Sequence, residues 1–180
     1  MNTAILVIDL QAGLFDEPGK PFDYDNTISN INQLTGAARQ QEIPVIFIHH
    51  ETEETVLTYN SDGWQLVSDL TVGPDDYTVR KTTPNSFLRT DLHDILEKNK
   101  INQLIVCGYA TEYCVDSTVR AAAALGYDIL IVSVGHTTHE KTHLSAELIR
   151  QHHNETLPSI KSFGVAINAR ETVKILKELG

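Results

Sequence analysis

The stretch Gln103–Gly126, QLIVCGYATEYCVDSTVRAAAALG, decides the fold. It opens on a short apolar run, Gln103 to Cys107, of the kind that forms a strand buried on both faces. A helical pattern from Cys114 to Leu125 closes it, with Val115, Val119, Ala122 and Leu125 on one face and Gly126 placed to end it. Between the two lies a six-residue turn, Gly108 to Tyr113. This strand–turn–helix unit recurs along the chain. Ala4–Asp9 (AILVID), Pro44–His49 (PVIFIH), the more polar Tyr77–Arg80 (YTVR), Asp128–Val134 (DILIVSV) and Phe163–Ile167 (FGVAI) read as five further strands. Helical periodicity fills the gaps from Asn26 onward (capped by Asp25 or Asn26), over Leu88–Lys98, over Thr142–Glu155 and over Arg170–Leu179. Such alternation predicts an α/β chain folded as a three-layer α-β-α sandwich around a six-stranded parallel sheet. Right-handed crossovers favour the order 3-2-1-4-5-6, which opens a ligand crevice at the carboxyl ends of the first and fourth strands.

Length and composition set the outer limits. The 180 residues, 41% hydrophobic and 21% charged, fit one ordinary domain spanning 1–180 that needs no staple to hold a core. The net charge of -10, with 14 Lys and Arg in all, argues against a nucleic-acid partner. No apolar run is long enough to span a bilayer, so no membrane partner is expected. Met1-Asn2-Thr3-Ala4 lacks the basic region of a secretory leader. Cys107 and Cys114, seven apart, form neither a redox pair nor a disulfide framework. Both are expected to stay as thiols in a reducing cytoplasm.

Three residues at the predicted crevice carry chemistry. Cys114 is expected at the first turn of a helix, where unpaired N–H groups and the helix dipole favour thiolate and can also hold an oxyanion. It reads as a nucleophile or, equally from this segment, as a small core residue. Cys107, inside a strand, reads as structural. Asp9 interrupts an apolar strand end and needs a partner. It is either the cap of a following turn or a general base. Lys81 ends the third strand, and is either solvated or the cation that stabilises the anionic forms of both.

Three segments resemble one family. Ile8-Asp9-Leu10-Gln11-Ala12-Gly13-Leu14-Phe15 is similar to the D-x-Q-x-x-F opening of the isochorismatase-like cysteine hydrolases, with one extra residue before Phe15. Lys81-Thr82-Thr83-Pro84-Asn85-Ser86-Phe87 resembles their K-x-x-x-S-x-F segment, with Ser86 one place late. Val106 to Val115 resembles their V-C-G-x-x-T-x-x-C-V segment. The blocks occur in the family's order and, with their connecting elements, span nearly the whole chain. The resemblance implies a catalytic triad of Asp9, Lys81 and Cys114, and a non-proline cis peptide at Tyr109–Ala110. It implies an oxyanion hole from the Ala110 and Cys114 amides, and a small-molecule amide or carbamoyl substrate cleaved through a thioester. It further implies a homo-oligomer, dimer or tetramer.

The departures bear on metal and substrate. Nicotinamidases of the family build a metal site on D-x-H-x-x-x-x-x-H after the second strand, where this chain has His49-His50-Glu51-Thr52-Glu53-Glu54-Thr55. Adjacent histidines on a strand point to opposite faces and do not share a metal, so no metal and no cofactor are expected. One of His49 and His50 is expected to line the pocket and the other to pack or be solvated. Phe15, Trp64, Tyr109 and Tyr113 are candidate pocket walls. Where relatives often carry D-A, this chain has Gly135-His136-Thr137-Thr138-His139, read as a turn with exposed histidines in preference to one that brings His136 to the pocket rim. His93, His143, His152 and His153 are placed on helices as surface or packing residues. Two competing readings are a vinyl-ether hydrolase of the isochorismatase type, without covalent catalysis, and a silent small-molecule binder. A flavodoxin-like nucleotide binder is disfavoured because the Leu10–Pro18 loop carries Asp16 and Glu17 and no glycine-rich phosphate motif follows.

Overall fold

The computed structural model describes residues 2–16 and 19–179. Glu17, half of the acidic pair in the loop after the first strand, lies outside the described residues. Six strands, β1 (Thr3–Ile8), β2 (Val45–His50), β3 (Tyr77–Lys81), β4 (Gln103–Tyr109), β5 (Asp128–Thr137) and β6 (Ile167–Arg170), pair in parallel in the order β3-β2-β1-β4-β5-β6. Five helices flank them: α1 (Tyr24–Gln40), α2 (Leu92–Lys98), α3 (Asp116–Ala124), α4 (Ala146–Ser159) and α5 (Thr172–Leu179).

The pleat of β1 sorts the two cores. Ala4, Leu6 and Ile8 face a cluster with Leu92, Val119 and Leu157 from α2, α3 and α4. Ile5 and Val7 face the opposite cluster with Ile28, Ile31 and Leu34 from α1 and Ile175 from α5. A strand buried on both faces must be apolar throughout, which is why the run Ala4–Ile8 has no polar alternation. Among the described residues no helix is long and apolar enough to cross a membrane.

Several boundaries differ from those the periodicity predicts, each for a local reason. The sixth strand starts at Ile167, not Phe163, because Gly164 turns the chain at φ +80° and Phe163 is exposed. Helix α4 begins at Ala146, capped by the Ser145 side chain accepting from Leu148 N–H, which leaves His143 outside it. Arg89, at φ 59°, delays α2 to Leu92. Strand β5 runs on to Thr137. The register slips between Val106 and Gly108 on β4, so that Gly108 pairs with His136 and Tyr109 with Thr137. His136 is therefore a buried strand residue, not part of an exposed turn.

Gly108 fixes the end of β4. Its φ is +122°, and a Cβ there would come within 2.2 Å of the Ile8 carbonyl oxygen. Only glycine allows β4 to approach β1 this closely while turning toward the loop. The Tyr109–Ala110 peptide that follows is cis. Thr111–Val115 then forms a π-helical turn before α3 begins at Asp116, so Cys114 sits in that turn and not in the first turn of a regular helix.

Candidate active site

The carboxyl ends of β1, β3 and β4 bring Asp9, Lys81 and Cys114 together. Asp9 leaves β1 in the left-handed region, φ 49°, with its N–H donating to Ile48 O. Its side chain is buried with that of Lys81, and Lys81 Nζ donates to Asp9 Oδ2 at 2.6 Å. The same ammonium reaches Cys114 Sγ at 3.3 Å and His50 Nδ1 at 3.0 Å. An ammonium has three N–H donors. Here three acceptors, one each from Asp9, His50 and Cys114, surround it. The other Asp9 oxygen, Oδ1, is buried and makes no hydrogen bond among the described residues.

Ligand atoms of Asp9, His50 and Cys114 lie within 4.8 Å of one another, a spacing that suits a metal ion by itself. The Lys81 ammonium already occupies the space among them, and a cation there would have to displace a buried positive charge from its counter-ion. The donor set thus fits an ammonium. This cluster was not visible in the chain, since only His49 with His50 suggests a metal there. The two histidines do point apart. His49 is buried and stacks on Trp64 at 4.3 Å between ring centroids, and burial pulls its pKa down to about 4.

A cavity of about 320 Å3 opens on the cluster, lined by Asp9, Leu14, His50, Thr52, Leu57, Tyr109, Ala110, Tyr113 and Cys114. Larger concavities of about 460 Å3 lie elsewhere, one around Glu147, Arg150 and Lys174 and one around Thr3, Gln103 and Leu179 at the opposite ends of the strands. Neither includes a cysteine or a buried ion pair, so chemistry and not size marks the site. Of the expected walls, Tyr109, Tyr113 and His50 line the cavity. Phe15, Trp64 and His49 do not. Phe15 packs edge-on behind Tyr109 at 5.0 Å, and Trp64 is held against His49 and Tyr59. Large rings reach a wall only where the fold leaves one face uncovered, and these are covered.

The electrostatics correct one expectation. Burial first and then the Asp9 carboxylate push the Cys114 thiol up to about 12, with Lys81 pulling against both. The reason is positional: Cys114 is enclosed beside a carboxylate, in a turn that precedes α3. A thiol raised in this way favours its protonated form, and a carboxylate stands beside it. His50 is held below the usual histidine range by burial and then by the Lys81 charge.

Three supports escaped the sequence reading. Gln11 clamps the end of β2, its Nε2 donating to His50 O at 2.9 Å and its Oε1 accepting from His50 N–H at 2.8 Å. Leu14, Thr52 and Leu57 line the cavity from loops without periodicity. His136 hydrogen-bonds Thr111, the first residue of the π-helical turn, at 2.8 Å and Asn154 at 2.9 Å. His50 is one of the two histidines expected at the pocket, and the parallel register sets it beside Lys81.

Comparison with known proteins gives a consistent picture. A family model described as the isochorismatase domain matches residues 3–160. An uncharacterized isochorismatase family protein of Bacillus subtilis, YddQ, is 30% identical over 73% of this chain and 76% of its own length. The ureidoacrylate amidohydrolase RutB of Pseudomonas syringae pv. syringae is 30% identical over 70% of this chain and 66% of its own. A crystal structure of an isochorismatase family protein superposes with a TM-score of 0.86 at 34% identity, covering 94% of this chain and 98% of the other.

Proposed function

The chain belongs to the isochorismatase family, and on that premise we propose that it is a cysteine hydrolase of small-molecule amides, with Cys114 as nucleophile, Asp9 as general base and Lys81 as the organising cation. The observation that carries this reading is the convergence on one ammonium. Lys81 Nζ lies 2.6 Å from Asp9 and 3.3 Å from Cys114 Sγ, and both of those residues line the cavity. The similarity to an amidohydrolase, RutB, supports amide chemistry over vinyl-ether cleavage.

The steps follow from the protonation states. Substrate enters with its carbonyl carbon facing Sγ. Asp9 Oδ1, which has no other hydrogen-bond partner among the described residues, takes the thiol proton as sulfur attacks. Lys81 stays protonated and stabilises both anions in turn. The N–H groups of Ala110 and Cys114, both at the cavity wall, hold the oxyanion. Asp9 returns its proton to the leaving nitrogen, the C–N bond breaks, and a thioester remains on Cys114. Water then attacks the thioester, giving its proton to Asp9, and the thiol is restored as the acid departs.

Both cysteines are free thiols. This supports work in a reducing compartment, the cytoplasm; assembly as a homodimer or tetramer is proposed from the family resemblance alone. The test is ammonia release from a panel of neutral primary amides and ureides by the wild type and by Cys114→Ala. Loss of more than about 1,000-fold in kcat/KM is expected, the scale of removing a nucleophile. Hydrolysis that survives in Cys114→Ala would return the non-covalent mechanism to the front.

A further inference from the structure

His50 has a fixed proton. Lys81 can only donate, so His50 Nδ1, 3.0 Å from Nζ, must offer its lone pair and the ring proton must sit on Nε2. Burial and then the Lys81 charge lower its pKa against the pull of Asp9 and Glu51, which favours this neutral form. The backbone on either side of the ring is locked by Gln11 and by the register with Lys81. Nε2 makes no hydrogen bond among the described residues, and the ring lines the cavity within the same cluster as Cys114. A preset donor facing a substrate cavity selects for an acceptor, because a substrate without one leaves the donor unpaired.

We propose that His50 is a specificity-determining residue whose Nε2–H binds an acceptor next to the scissile C–N bond. The preferred substrates are then neutral small amides or ureides carrying a second acceptor there. This rests on the cysteine-hydrolase reading of the site. Leu14, Leu57, Tyr109 and Tyr113 offer an apolar surface for the rest of the molecule. A neutral substrate fits because the Lys81 charge is matched by Asp9, and among the described residues no Lys or Arg lines the cavity to hold a carboxylate. The assignment gives the histidine, which belongs to none of the three triad positions, a role in selecting substrate while Lys81 uses its other nitrogen.

Alkylation of Cys114 tests this without knowledge of the natural substrate. Iodoacetamide carries a carbonyl acceptor beside the reacting carbon, and 1-iodopropane is of similar size without one. Rates at Cys114 are read by site-resolved mass spectrometry in the wild type, His50→Asn and His50→Gln. Asparagine keeps an acceptor near the Nδ1 position for Lys81 but loses the donor. Glutamine keeps a donor near Nε2. The preference for iodoacetamide over iodopropane is expected to fall about three- to tenfold in His50→Asn, the worth of one neutral hydrogen bond, and to stay within about twofold of wild type in His50→Gln. An unchanged ratio in His50→Asn, or its loss in His50→Gln, overturns the proposal. If the asparagine variant does not fold, the glutamine variant decides alone. Failure of both reagents at Cys114 in the wild type counts against the nucleophile itself, a separate outcome.

Discussion

Cys107 and Cys114 stand seven residues apart on the same strand–turn–helix unit, and their surroundings are opposite. Cys107 is fully buried inside β4, its Sγ donating to Leu6 O, with burial raising its pKa. Cys114 is also raised, but it touches an ammonium, stands beside a carboxylate and faces a cavity. Gly108 separates the two, turning the chain out of the sheet where no other residue fits against Ile8. Burial raises both thiols, so the difference proposed between them lies in their neighbours. On the proposed reading it comes from the carboxylate and ammonium beside Cys114, and Cys107, which has neither, is expected to be inert.

The largest effect that would break this contrast is at the cation. Lys81→Met leaves Asp9 buried without its partner, which destabilises by about 3–5 kcal/mol. It should also lower amide hydrolysis by about 100-fold or more. Urea unfolding and ammonia release measure the two effects, and an active, undamaged Lys81→Met would remove the distinction between the cysteines.

The next effect concerns the frame of the reactive turn. Burial pulls the pKa of His136 down to about 4, below its unfolded value. As pH falls through about 6.5 the unfolded chain takes a proton that the native ring refuses, so stability is lost with falling pH until about 4. The loss is about 3 kcal/mol for this ring. His49, also lowered to about 4, adds in the same direction. Unfolding free energies measured from pH 7 to 4 should show this decline, and His136→Gln should flatten it in part. A decline of equal steepness in the variant would mean that His136 does not hold its neutral form against Thr111.

The smallest effect sharpens the comparison from the inert side. Cys107→Ala removes one buried sulfur, costs about 1 kcal/mol in urea unfolding, and should leave hydrolysis unchanged.

Much of this was legible in the chain because parallel strands buried on both faces are written as unbroken β-branched runs, and polar residues at their ends stand out. Asp9 and Lys81 could be named for that reason and Cys114 for its place between a strand and a helix, while their grouping as a triad rested on the family resemblance. His50 could be named only as one of two histidines for the pocket; its contact with Lys81 could not, because adjacency across β2 and β3 depends on a register that no local pattern encodes. His136 was misread for a related reason: the slip on β4 extends β5 by three residues beyond its apolar run, carrying a polar stretch into the interior. Phe15 and Trp64 show that an aromatic residue near a site in sequence is as readily covered as exposed. The irregular stretch from Glu51 to Asp76 supplies Thr52 and Leu57 to the cavity, and irregular chain offers no period to read.

The account stands or falls on where the acyl group goes. Wild-type protein should be quenched in acid while hydrolysing the best amide of the panel, and intact and peptide masses read. A mass gain equal to the acyl group, mapped to Cys114 and absent in Cys114→Ala, is the predicted result. Steady turnover with no acyl group on Cys114, and with Cys114→Ala still active, would contradict it.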